Sequence, residues 1–193
     1  MRRISKVFII ALIIAALASV VLPAQDTGSG WDHHFTAGDL SLSAGIGFAS
    51  GWYAFGLSAY PGVELILSDV KLGEHVPLSF GVAGKGLVTF YSGYFAGSGI
   101  AAAVGGFGTA HLGFKNFVQP WEFLTNFDVY IGIGLALDLI RPTWWLTDAP
   151  RLRFASFQGT NYFLSDTFAV FAESTYMGPY NYYGTFGALW KSR

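Results

Sequence analysis

Period-two alternation, sustained over runs longer than most globular strands, is the feature that most limits what this chain can become. Leu40, Leu42, Ala44, Ile46 and Phe48 alternate with Ser41, Ser43, Gly45 and Gly47. Val76, Leu78, Phe80 and Val82 alternate with Pro77, Ser79, Gly81 and Ala83, and Val129 to Leu139 repeats the pattern against Tyr130, Gly132, Gly134, Ala136 and Asp138. Successive side chains of a strand point to opposite faces, so each run presents one apolar face and one of small or polar groups. Helical spanning of a membrane is excluded beyond the N-terminus. The best later stretch, Ile131 to Ile140, is ten residues long and contains Gly132, Gly134 and Asp138, against the ~20 apolar residues a membrane helix needs.

Read along the whole chain, the alternation predicts eight strands near 39–49, 54–68, 76–90, 98–114, 127–139, 151–163, 167–177 and 182–191. Turn residues punctuate them at Ser50-Gly51, Asp69 to Glu74, Ser92-Gly93, Pro120, Pro142, Ser165-Asp166 and Gly178 to Asn181. Several predicted strands exceed the ~9–11 residues that cross a bilayer at a tilt. Arg151, Arg153, Ser156, Gln158, Gly159 and Asn161 leave the phase of the sixth strand open, and a bulge is expected there. No linker or low-complexity tract interrupts the pattern, so residues 25–193 read as one all-β domain.

Composition decides which face is wet. Charged residues make up 12% of the chain and hydrophobic ones 52%, where a soluble domain carries about 25% charged. The partners of the apolar face are Gly, Ala, Ser and a handful of charges, too few to coat an exterior in water. The apolar face is therefore expected to meet lipid, and the small face to line a narrow lumen, because eight strands leave room only for side chains to fill. Glu64, Lys85, His111, Asp138 and Glu173 fall on the lumen phase. A buried charge is costly unless paired, so these groups are expected to meet opposite partners such as Lys85 or Arg153. Either they line an ion or solute path, or they plug the barrel. Aromatics near strand ends fit interfacial girdles: Trp52, Tyr53, Tyr91, Trp121, Trp144, Trp145, Tyr176 and Trp190. Trp144-Trp145-Leu146 and the segment 177–183 are too hydrophobic for plain solvent loops and are expected to extend the girdle.

The N-terminus reads as an export signal over residues 1–24. Arg2, Arg3 and Lys6 precede an apolar stretch from Val7 to Val21, followed by Leu22-Pro23-Ala24. Val7 to Leu22 is shorter than a spanning helix, which argues against a retained anchor; Ala16-Leu17-Ala18 is an alternative cut. The chain has no cysteine, hence no disulfide or thiolate chemistry, and its net charge of -1 offers no footprint for nucleic acid.

Asp32, His33 and His34 cluster early, but adjacent histidines of a strand face opposite ways and make a poor metal site, even with His111 added. Gly97-Ser98-Gly99-Ile100-Ala101-Ala102 imitates a dinucleotide fingerprint without the helix that must follow it. It reads as a strand of small residues. No catalytic, cofactor-binding or metal residue is assigned, and the chain is expected not to be an enzyme.

With its signal peptide, its period-two strands and the late hairpin Tyr162 to Glu173, the chain resembles the small eight-stranded outer-membrane barrels typified by the OmpA membrane domain, OmpX and OmpW. The likeness spans nearly the whole mature chain but is a pattern without a diagnostic motif. It implies an outer-membrane location, contact with outer-membrane lipid and the envelope assembly machinery, and a monomer without cofactor. It implies a narrow pore or conduit for small, even hydrophobic, solutes, with a structural role in the envelope. A surface adhesin is one alternative, weakened by the short connections. A lipid-modifying acyltransferase-like barrel using a histidine is the other. One departure stands out: the family usually ends on Phe, whereas here Trp190 is followed by Lys191-Ser192-Arg193.

Overall fold

The computed structural model describes residues 31–50, 55–72, 76–93, 97–117, 122–140, 151–177 and 183–192. The expected signal peptide lies outside them. Eight antiparallel strands run in chain order: β1 (Leu40–Ser50), β2 (Phe55–Leu72), β3 (Val76–Gly93), β4 (Gly97–Gly113), β5 (Phe127–Ile140), β6 (Arg151–Ser165), β7 (Phe168–Tyr176) and β8 (Tyr183–Lys191). Each pairs with the next, and β8 returns to β1, closing the barrel. Closure removes every unpaired strand edge, which is the condition for a sheet to survive in hydrocarbon. A short 3-10 helix, Glu122–Asn126, leads into β5. Among the described residues no helix is long and apolar enough to cross a membrane.

The alternation of the sequence becomes the two faces of the wall. Along β5, Val129, Ile131, Ile133, Leu135 and Leu139 point outward and are exposed, while Asp128, Tyr130, Gly132, Ala136 and Asp138 are buried inside. Leu42, Ile46, Phe154 and Phe186 continue the exposed apolar surface on β1, β6 and β8. In water such a continuous patch would drive association; against lipid tails it is the native state. The molecule is a membrane β-barrel. Ile133, 54% exposed near the middle of β5, gives a direct check. Ile133→Arg should destabilise the embedded barrel by about 2–4 kcal/mol, the cost of a cation on the lipid face near the midplane, read as a lowered urea midpoint in vesicles. An unchanged midpoint would place this face away from lipid.

Inside, large rings occupy the space that glycines leave. Gly45 and Gly187 are register partners across the β1–β8 seam, and the Phe171 ring lies over both. Tyr130 lies over its β6 partner Gly159, and Phe157 over its β5 partner Gly132. A narrow lumen is thereby filled by alternating large and absent side chains.

The sixth strand, whose phase the sequence leaves open, is regular from Arg151 on. It turns Arg153, Ala155, Phe157, Asn161 and Phe163 inward, and its irregularity falls at its end, between Phe163 and Ser165. Two further register shifts lie outside the sixth strand, one between Ala102 and Ala103 of β4 and one between Ile66 and Ser68 of β2. There the chain ahead of β1 adds to the sheet: Gly38 N donates to Ile66 O at 2.9 Å and Ile66 N to Asp39 O at 2.9 Å.

Candidate functional site

The lumen holds two polar clusters, one above the other. Lys85 projects from β3 where its register partners are Gly62 and Gly105, so nothing beside it blocks its path across the barrel. On the far wall it meets Glu173 of β7 in an ion pair, with the lysine side chain 10% and the carboxylate 0% exposed. Glu173 also accepts from Tyr60 Oη at 2.6 Å, Thr175 Oγ1 at 2.5 Å and Tyr130 Oη at 3.0 Å. The Lys85 ammonium lies 3.8 Å from the centroid of the Phe157 ring and 5.0 Å from that of Tyr60. Buried charges survive when they are paired and hydrogen-bonded, and here the aromatic faces add a cation–π contribution to the lysine.

The second cluster centres on His111 of β4. Its Nδ1 lies 2.9 Å from Asp128 Oδ2 and its Nε2 2.9 Å from Glu64 Oε1. The imidazole thus bridges two carboxyl groups on different strands, one at each ring nitrogen. Thr109 Oγ1 donates to Glu64, and Asn161 Nδ2 donates to Asp128 Oδ2 at 2.8 Å. Between the clusters lies a cavity of about 20 Å³, bordered by Ser41, Ser43, Glu64, Lys85, Tyr130 and Asn161 among others, which is room for about one water. On the opposite side of Lys85, Leu87, Phe107, Phe157 and Met177 fill the lumen with apolar groups. Near the loop end, Arg153 Nη2 meets Asp138 Oδ2 at 2.7 Å.

The structure thus turns all five lumen charges named from the sequence inward, with Lys85 against Glu173, Glu64 against His111, and Asp138 against Arg153. Sequence reasoning missed Asp128, Asn161, Thr109 and Thr175. Asp128 shares the phase of Tyr130 and Asp138, so the alternation alone places it inside.

Of the expected girdle aromatics, Trp190 faces outward, 65% exposed, edge-on to its register partner Phe168 at 5.4 Å. Tyr176 is half-buried on the outward phase of β7. Tyr91 is a correction: it is 4% exposed, on the inward phase of β3. Its register partner is Gly99, and the tyrosine ring takes the space a side chain there would fill. Trp52, Tyr53, Trp121, Trp144 and Trp145 lie outside the described residues.

His33 and His34 do not form a site with His111. Nδ1 of His33 is 3.2 Å from Ser79 Oγ, whereas His34 stacks on Phe163 at 4.3 Å and donates from Nε2 to Thr125 O at 2.8 Å. Burial holds the His34 imidazole below its ordinary pKa; Lys115 and Lys191 push the same way, against the carboxylate of Asp128 and the Thr125 carbonyl. Among the described residues no group of three or more His, Asp or Glu is arranged to hold a metal.

No protein-family profile matches the chain, and no curated protein matches it either. Among solved structures it is similar to one described under the de novo design of transmembrane β-barrels, at 15% identity and a TM-score of 0.43, covering 82% of this chain and 98% of that one. The fold rests on the strand pairing of this chain itself.

Proposed function

We propose that this protein is an exported outer-membrane barrel, released from a signal peptide over residues 1–24. In this reading it acts as a monomer in contact with outer-membrane lipid, after insertion by the envelope assembly machinery. Its role is structural, with a lumen closed to solutes and passing at most species of water size. The pore or conduit expected from the resemblance is thereby narrowed. The observation that carries the reading is the Lys85–Glu173 pair spanning the lumen, saturated by Tyr60, Tyr130 and Thr175 beside a cavity that admits about one water. Solute passage would require breaking a buried ion pair whose carboxylate is also held by three hydroxyl donors. The reading includes no enzymatic activity and no cofactor.

Planar-bilayer recording of the purified mature chain tests this. The expected result is a heat-modifiable, detergent-requiring barrel that gives no steady conductance step. Steady conductance with measurable flux of a small sugar or amino acid would overturn the closed reading and restore the conduit.

A further inference from the structure

Residues 31–38 precede the barrel wall, yet they fold back over the mouth where β1 begins and β8 ends. The reversal is a tight turn in which Asp39 N donates to Thr36 O at 3.0 Å, and Asp39 Oδ2 accepts from Thr36 N at 2.8 Å. Gly38 supplies the left-handed residue at φ 91° that this turn requires. Upstream of the turn, Phe35 inserts into the lumen and is 1% exposed. Its ring lies 4.7 Å from His111 of β4 and 5.5 Å from Phe163 of β6, in a cluster with Ile66, Phe171 and Leu189. One side chain thus contacts the inner face of the barrel on several sides.

The mouth also reads the backbone of this segment. Ser79 Oγ donates to Phe35 O at 2.5 Å, Lys191 Nζ donates to His34 O, and Ala37 N donates to Asp69 Oδ1 at 2.9 Å. Trp31 Nε1 reaches Gly113 O, and its ring packs against Phe114 and Phe117. Two ion pairs fasten the rim: Lys191 to Asp39 at 3.2 Å and Lys71 to Asp32 at 3.5 Å, the latter well exposed. A buried aromatic anchor, backbone contacts from side chains, and charges at the edge are the anatomy of a peptide in a binding site. The segment crosses strand ends, with a single bridge, Asp32 to Lys115, ahead of its turn. It can therefore leave without opening the β1–β8 seam.

We propose that the terminal mouth of the barrel is a peptide-binding site and that residues 31–38 are its intramolecular ligand, a plug that closes the route from this mouth to the lumen cavity. Phe171 and Leu189 belong both to the cluster around Phe35 and to the cavity wall, so removing Phe35 exposes the cavity from this end. On the other side of Lys85, Leu87, Phe107, Phe157 and Met177 are buried in one apolar cluster. The plug also gives Lys191 and Ser192, beyond Trp190, a place in the fold. Lys191 turns inward to hold it, and Ser192 N donates to Leu40 O at 2.8 Å, locking the last strand to the first beside it.

The absence of cysteine makes the test clean, because Ser43→Cys places the only thiol of the chain at the cavity. The folded mature barrel in detergent is labelled with a small water-soluble methanethiosulfonate, and folding of every variant is checked by its heat-modifiable mobility. Labelling should be slow with the plug intact and about a hundredfold faster after Phe35→Ala, as expected for losing a buried phenylalanine. Lys191→Met, at the rim, should accelerate it about tenfold, and serves where Phe35→Ala reduces folding. A synthetic peptide of residues 31–39 added to the Phe35→Ala barrel should slow labelling again. Equal rates in folded barrels with and without these substitutions would overturn the plug. Failure of the peptide to slow labelling would overturn the binding site. Neither result depends on conductance, so the closed-lumen reading is tested separately.

Discussion

Lys85→Met should lower the stability of the folded barrel by about 3 kcal/mol, because it strands the Glu173 carboxylate in the lumen without its cation. Glu173 keeps Tyr60, Tyr130 and Thr175 as donors, which places the loss at the lower end of the range for a broken buried pair. The double variant Lys85→Met, Glu173→Leu should recover most of it, since an apolar pair of similar volume replaces two desolvated charges. Urea midpoints followed by the shift between folded and unfolded mobility provide the measurement. If Lys85→Met leaves the midpoint unchanged, the pair does not staple β3 to β7, and the lumen is wetter than its packing implies. The lower half of the network is not expected to compensate, because Glu64 and Asp128 are already shared by His111.

The second large effect is expected at the seam. A Cβ on Gly187 would press on the backbone oxygen of Ala44 and on the Phe171 ring, both nearer than any real Cβ contact. Gly187 pairs with Gly45 on β1, so the strain falls on the one contact that converts a curled sheet into a barrel. Gly187→Val should abolish most of the folded, heat-modifiable species, a loss of more than about 3 kcal/mol from overpacking with backbone displacement. Gly184→Ala on the same strand is the control, because nothing lies within 4 Å of the position its Cβ would take. Equal folding of the two variants would mean that the seam gives way more easily than the register indicates.

Local chemistry carries the strand pattern. The side-chain period of two is a property of extended backbone, so Leu40 to Phe48 and Val129 to Leu139 declare strands and faces without reference to neighbours. Low charge and small partners then say which face meets lipid. For the same reason Glu64, Lys85, His111, Asp138 and Glu173 were legible as lumen residues. The ambiguous sixth strand was ambiguous because both faces carry polar groups; its neighbours β5 and β7 set its phase. Tyr91 looked like a girdle residue because of its place near a strand end. Whether its ring turns out or in depends on Gly99, a register partner that only the pairing of β3 with β4 reveals.

Sequence alone determined an eight-stranded wall with an apolar exterior and a short roster of inward charges, because each follows from alternation along one strand. Tertiary structure decided the pairings: Lys85 with Glu173, Arg153 with Asp138, and His111 between Glu64 and Asp128. These contacts join residues 15 to 88 positions apart, and their distances are set by the register and curvature of the closed sheet. It also decided the fate of residues 31–38, whose Trp31, His33, His34 and Phe35 have no periodicity to announce a role. Their place exists only once eight strand ends form a mouth of the right width to receive a phenylalanine.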